Sequence, residues 1–273
     1  MMPLHSDGRL PTTLDGAPKP HRRLADLCTS HYDKTQKLAL VSNVYLKDGT
    51  MREIVGAISE VENSHYNEKY FSFINDSSMY SSIIDKFKFE NEVKSTDKIV
   101  DFGCGGGYML SALEAAEKIG VEVNEVAANA ARKRGLNIVS DLKDVPDGWA
   151  DVMISHHALE HVDDPLNVVR TMLTKVKKGG KVVLVTPSET FKMRYCEDDP
   201  NFHLFTWSPS NLGNLLKRAG FAQINAAPIH HRWPRYWWVI GSVLGPKLMH
   251  YVCVVHGRLR TGISQVKAVG YRP

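Results

Sequence analysis

Cysteine is scarce in this chain. The four present, Cys28, Cys104, Cys196 and Cys253, stand far apart, and no two form a C-x-x-C pair. That spacing excludes a disulfide framework and a finger-type zinc site, and it suits a reducing compartment, so a cytoplasmic location is expected. The first 25 residues contain Pro, Gly, Asp and Arg but no apolar run of the kind a secretory leader needs. Lys and Arg are scattered and the formal charge is only +4, so no nucleic-acid partner is expected. Internal repeats are absent. With 43 % hydrophobic and 23 % charged residues, the composition is that of an ordinary globular protein. Its 273 residues suffice for one large α/β domain and a modest extra region.

One long apolar stretch, Tyr236–Val255, approaches the length of a membrane span. Pro246, Lys247 and His250 lie near its middle, and Gly241 and Gly245 weaken it further. The stretch therefore reads as a helical insertion at 232–260, packed on its own domain or on a second copy in a homodimer. The alternative is an amphipathic surface touching a membrane or a lipid-linked substrate, flanked by Arg232, Arg235, Arg258 and Arg260.

Residues 98–107, Lys-Ile-Val-Asp-Phe-Gly-Cys-Gly-Gly-Gly, organise the rest. Ile99, Val100 and Phe102 predict a short buried strand that runs into Gly103, Gly105, Gly106 and Gly107. From Tyr108 to Lys118 the apolar residues Met109, Leu110, Leu113, Ala116 and Ile119 recur at helical spacing. Strand, glycine turn and helix form a nucleotide-type binding unit, in which backbone N–H groups face the ligand. The dinucleotide fingerprint G-x-G-x-x-G is not met, because Tyr108 occupies the third glycine position. Asp101 would also repel a pyrophosphate but welcome a ligand that carries an ammonium group.

Further strands follow in order. Val121-Glu122-Val123 ends at an acid 21 residues after Asp101; 137–141 ends at Asp141; 150–155 leads into His156-His157-Ala-Leu-Glu-His-Val-Asp-Asp-Pro. A helix to Val176 and the run Lys-Lys-Gly-Gly-Lys-Val-Val-Leu-Val-Thr-Pro (177–187) come next. The helix at 210–219 is stopped by Gly220, and strands are expected at 222–229 and 265–271. Alternating strands and helices demand a parallel sheet with helices on both faces.

The acid–glycine motif, the "LEHV-DP" stretch, the glycine pair at 179–180 and the proline at 187 together resemble the class I S-adenosylmethionine-dependent methyltransferases over about residues 80–225. The resemblance implies a Rossmann-like α/β fold with a mostly parallel seven-stranded sheet whose last two strands form an antiparallel pair. It divides the chain into a flexible tail at 1–20, an N-terminal helical region or lid at 21–97, and a cofactor-binding domain at 98–273. It implies S-adenosylmethionine as cofactor, with Asp101, Gly103, Cys104, Gly105 and Gly107 on the methionine part. Glu122 would then take the ribose diol and Asp141 with Leu142 the adenine, with Val123, Ser155 and His156 as further cofactor-binding residues.

Methyl transfer to a hydroxyl needs a proton acceptor, for which a histidine suits neutral pH. Among twelve histidines, His203 in the loop after the fifth strand and His156 at the end of the fourth are the two candidates. His157, Glu160 and His161 imitate a metal pair, but no third ligand stands at a diagnostic spacing, so no metal is expected. The segment Leu204–Phe221 resembles a subgroup found with polysaccharide and glycan clusters, which implies a sugar hydroxyl as acceptor. Alternatives are another small metabolite, a lipid-linked acceptor, or a non-catalytic cofactor-binding protein.

Overall fold

Ile99 and Val100 are fully buried because β1 (Lys98–Phe102) is an interior strand with packing on both faces. A computed structural model describes residues 81–189, 194–197, 199, 201–235, 237–259 and 265–273. The tail expected at 1–20 and the helical region or lid expected from residue 21, as far as residue 80, lie outside the described residues, as do Cys28 and Arg260.

The sheet holds seven strands in the order β3-β2-β1-β4-β5-β7-β6. They are β2 (Glu117–Val121), β3 (Asn137–Val139), β4 (Ala150–His156), β5 (Val176–Pro187), β6 (Ala222–Ile229) and β7 (Gln265–Tyr271). The first five are parallel, and β7 runs antiparallel between β5 and β6. The expected Rossmann-like sheet, with its antiparallel last pair, is what forms.

Alternation along the strands sends residues to two cores. Val100, Met153, Val182 and Leu184 pack on α3 (Pro165–Lys175) and α4 (Pro209–Ala219) through Val169, Met172, Leu212 and Leu216. Ile99, Val152, Ile154, Val183 and Val185 face the other way, onto Met109 and Leu110 of α1 (Tyr108–Ala112) and onto Phe89. Each such fully buried side chain contributes about 1.5–3 kcal/mol. The segment ahead of β1 is held by charge as well: Glu92 accepts from Lys181 at 2.6 Å and Lys267 at 2.8 Å.

Local chemistry starts and stops the helices. Asn124 caps α2 (Glu125–Arg132) by accepting from the N–H groups of Val126 and Ala127, and Asp164 caps α3 with Pro165 in its first turn. Ser208 and Asn211 form a reciprocal capping box on α4, and Gly220 ends that helix in the left-handed region.

The helix expected from Tyr108 to Lys118 stops at Ala112. Leu113 is extended, and Ile119, which fits the helical period, is a buried residue of β2. Pairing with β1 decides this: Lys98 to Phe102 take Glu117 to Val121 as partners, one to one. The second strand therefore ends at Val121, and Glu122 and Val123 lie beyond it. The third strand likewise ends at Val139, before Asp141.

The apolar stretch is helical, as expected. It forms α5 (Trp237–Leu259), broken at Gly245, whose φ is 71° and ψ 167°, with Pro246 beside it. Met249 and Cys253 pack on Ile84, while Leu244, Leu248, Tyr251, Val255 and Leu259 stay exposed. Among the described residues no helix is long and apolar enough to cross a membrane.

Gly107 separates packing from plain backbone strain. Its φ is +74°, and a Cβ there would stand 2.4 Å from Leu136 Cδ1 and 2.9 Å from Ala131 Cβ. Gly179 shares the backbone conformation (φ +75°) but faces open space. Gly179→Ala should cost about 1–2 kcal/mol of stability, the strain alone. Gly107→Ala should cost a further ~1–3 kcal/mol for overpacking. Urea denaturation of both variants checks this, and equal losses would remove the packing role.

Candidate active site

Phe102 lies opposite Val121 on one side and Ser155 on the other. The residues just past those positions, Gly103, Glu122 and His156, are therefore brought level at the carboxyl end of the sheet, where open α/β sheets bind ligands. Ser155 ties the level together by donating its hydroxyl to the Phe102 carbonyl at 3.0 Å.

The glycine loop divides its tasks. Gly103 and Cys104 both donate their N–H groups to the Val121 carbonyl, at 2.9 and 3.1 Å. A Cβ on Gly103 would collide with Ala158, so Gly103, like Gly107, is required by packing. Gly105 (φ +53°) is different: nothing lies within 4 Å of a Cβ built there, so its backbone borders open space. The Cys104 side chain turns away into the packing of α2 against Ile138, and burial pushes its thiol far up. Only the backbone of Cys104 belongs to the loop's ligand face. Tyr108, at the third-glycine position, lies under the Arg134 guanidinium at 4.0 Å.

Two acids stand beside this loop. Glu122 accepts from the N–H of Gly105 at 2.7 Å and of Asn124 at 2.8 Å, which clamps the loop to the end of β2. Burial raises its carboxyl despite those bonds. Both oxygens retain a further lone pair for a ligand's hydroxyls. Asp101 is 1 % exposed, and neither of its oxygens has a hydrogen-bond partner. Burial and then the neighbouring Glu122 charge push it from 3.8 up to about 8. A buried, unpaired acid next to a second acid is costly, and a ligand cation is the group that relieves it.

Val123 is 80 % exposed directly after Glu122. Asp141 accepts from the Lys143 N–H at 2.8 Å, capping a short 3-10 turn, and Leu142 is buried in the core. Val123 and Asp141 each follow the end of a strand, and those two strands pair with Val121 opposite Val139.

The two histidines expected at the centre of the chemistry differ sharply. His156 has Nε2 3.0 Å from Nζ of Lys88, which itself pairs with Asp85 at 2.8 Å. An ammonium only donates, so Nε2 is the acceptor and is already engaged. Burial, and then the Lys88 charge, hold His156 well below 6.5. His203 places Nδ1 2.6 Å from Glu189 Oε1 and Nε2 4.0 Å from Glu160 Oε1. Its loop is pinned to the turn after β4, since the Leu204 and Phe205 N–H groups both donate to the Glu160 carbonyl at 2.9 and 3.2 Å. His157 (φ 54°) and Phe202 (φ 48°) adopt left-handed backbone next to these histidines, a conformation that costs energy in a residue with a side chain.

Sequence reasoning named His156 and His203 but missed their partners Lys88, Asp85 and Glu189. Lys88 lies 68 residues from His156 and Glu189 14 residues from His203, and no spacing rule reveals either. Glu160 was visible in the "LEH" run, but not its burial.

Residues 66–226 match the family described as methyltransferase domain. The chain is 25 % identical over 173 residues to a ubiquinone biosynthesis O-methyltransferase of Acinetobacter baylyi, covering 54 % of this chain and 72 % of that one. Against the enzyme of the same name from Methylococcus capsulatus it is 34 % identical over 107 residues, 35 % of this chain and 45 % of that one. The chain thus spans less than half the length of the second relative. In fold it is similar to a SAM-dependent methyltransferase of Thermotoga maritima, with a TM-score of 0.53, 19 % identity, and coverage of 75 % and 98 %. It is similar also to a phosphoethanolamine N-methyltransferase of Haemonchus contortus crystallised with S-adenosyl-L-methionine (TM-score 0.52, 15 % identity, 71 % and 52 % coverage).

The Asp101 carboxyl generates a pH test on the ligand-free protein. The folded state keeps its proton up to about 8, whereas the unfolded chain releases it near 3.8. Folding stability therefore falls as pH rises through that window. Relative to wild type, Asp101→Asn should gain little near pH 4 and roughly 2 kcal/mol or more near pH 9. Urea midpoints across pH read this difference, and a flat one would mean that the carboxyl has a partner.

Proposed function

Because the chain belongs to the methyltransferase-domain family, with the class I fold and S-adenosylmethionine as its cofactor, we propose that it methylates a hydroxyl of a small acceptor. The observation that carries the cofactor assignment is the unpaired, buried Asp101 carboxyl group beside the open face of Gly105, a group that a ligand cation would ionise. It fits a ligand with an ammonium group and no phosphate. Asp101 and the Gly105 backbone would hold the amino-acid part, Glu122 the ribose hydroxyls, and Val123 with Asp141 and the Leu142 backbone the adenine. Bound S-adenosylmethionine supplies a methyl group on positively charged sulfur, so the reaction is a displacement at carbon. What the chain itself must supply is position, exclusion of water, and a means of drawing the proton from the acceptor. Holding two reactants in line is worth up to ~7–11 kcal/mol.

We assign acceptor activation to His203. It sits on the loop pinned over the end of β4, and Glu189 orients its ring. His156 is less suited, because Lys88 occupies its Nε2. Oxygen as the methylated atom is supported by the O-methyltransferase relatives. The sugar expectation rests on Leu204–Phe221, and most of that segment folds as the packing helix α4 with Leu212 and Leu216 buried. It therefore gives the sugar reading no support at the site. The exposed stripe Leu244, Leu248, Tyr251, Val255 and Leu259 supports instead a lipid-linked hydroxyl met at a membrane surface. Arg235, Lys247 and Arg258 accompany that stripe, and no Asp or Glu follows Asp199 in the sequence.

Two measurements test the reading. Glu122→Ala should weaken S-adenosylmethionine binding by about 1.5–3 kcal/mol, the scale of hydrogen bonds to a charged group. His203→Ala should leave that affinity within a few-fold but lower turnover by about 100-fold or more. His156→Ala should lower turnover less. Calorimetry and single-turnover assays decide; normal turnover in His203→Ala would remove the assignment. The surface reading has its own check. Leu248→Asp with Val255→Asp should abolish co-flotation with anionic phosphatidylglycerol vesicles, and retained binding, or none in wild type, would refute it.

A further inference from the structure

Glu160 is the second buried acid of the site that nothing satisfies. It lies on the short turn Leu159–His161 after β4, is 0 % exposed, and neither carboxylate oxygen has a hydrogen-bond partner. Among the described residues no lysine or arginine pairs with it. The basic groups around it are imidazoles. His157 Nδ1 stands 3.5 Å and His203 Nε2 4.0 Å from Oε1. The ring of His161 stacks edge-on to that of His203, with centroids 5.0 Å apart. One ligand atom from each of Glu160, His161 and His203 lies within 4.8 Å of the others.

We infer that Glu160, His161 and His203 bind a divalent cation of the zinc type. Two imidazoles and a carboxylate form a donor set of borderline softness, which favours such an ion over calcium or magnesium. The set is also held in place. The Glu160 carbonyl accepts from both Leu204 and Phe205, so the loop with His203 is fixed to the turn with the other two ligands. The outer nitrogen of His203 bonds to Glu189 at 2.6 Å, which fixes the tautomer so that Nε2 faces Glu160. Carboxylate–imidazole pairs of this kind are the usual outer support of a metal-binding histidine. The spread of 4.8 Å is wider than a coordination sphere, so modest side-chain rotation closes it on the ion. This reverses the expectation of no metal. The missing third ligand is present, 42 residues from His161 and therefore invisible to spacing.

Three protein ligands leave a coordination position for an oxygen. An ion of this type lowers the pKa of a bound water from ~16 to ~7 and polarises an acceptor hydroxyl in the same sense. The ion is then the means by which His203 acts, with the acceptor proton leaving to solvent or to the neighbouring His157. This second step rests on the O-methylation reading above; the site itself rests on the geometry alone.

The test is a calorimetric titration of the chelator-stripped full chain with Zn²⁺, checked by metal analysis after dialysis. One equivalent should bind. Glu160→Gln and His203→Asn should each weaken binding by about 100-fold or more, and Glu189→Gln by about 10-fold. His250→Ala, in a separate histidine group, should leave it unchanged. Equal affinity in wild type and Glu160→Gln, or loss in His250→Ala, would overturn the site. Should the Glu160 variant fail to fold, X-ray absorption of the zinc-loaded wild type must show two imidazoles; fewer would overturn it too. If zinc binds nowhere while His203→Ala still loses turnover, the metal site falls and the O-methylation reading stands. If zinc binds as stated and no hydroxyl acceptor is methylated, the reverse holds.

Discussion

The parallel ladder on both sides of β1 is the constraint from which the site follows. Phe102 is locked opposite Val121 and Ser155, so the chain leaves three neighbouring strands at one level. A one-residue slip would turn Ile99 and Val100 out of their cores and move Glu122 off the Gly105 amide. Core packing and the level of the strand-end residues are thus set by the same register. The glycines serve it: Gly103 lets Ala158 approach, and Gly120 lets Cys104 pass, since a Cβ there would meet its sulfur at 2.5 Å.

Two carboxylates in this frame are buried without compensation, and they are of different kinds. Asp101 faces the glycine loop and a second acid, where an organic cation fits. Glu160 faces imidazoles, where a small ion of borderline softness fits. A buried carboxyl group without a hydrogen-bond partner is costly, and a bound cation is what relieves that cost. His156 shows the opposite arrangement, its Nε2 satisfied by Lys88 within a buried group that includes Asp85.

Most of the fold was legible in the sequence because local signals agreed with tertiary ones. Gly220 announces the end of α4, and the apolar runs at 99–102, 150–155 and 181–186 announce buried parallel strands. Where local and tertiary signals conflicted, tertiary pairing won. The period through Leu113, Ala116 and Ile119 is helical, yet Ile119 is drawn into β2 because β1 needs a full-length partner. The break in α5 at Gly245–Pro246 was written in those two residues, but which face of the helix stayed bare was not.

The sequence by itself determined the glycine-loop side of the sheet. Asp101, the glycine loop and Glu122 sit at strand ends within a short span, and strand–turn–helix geometry dictates what such residues face. Only the tertiary structure decided the surroundings of the histidines. His203 and Glu189 come from the loop after β5 and Lys88 from ahead of β1, and whether a histidine is engaged or available depends on neighbours far away along the chain. Burial, too, is a property of the folded whole: the letters Leu-Glu-His do not say that Glu160 is sealed from water. That depends on the loop that closes over it.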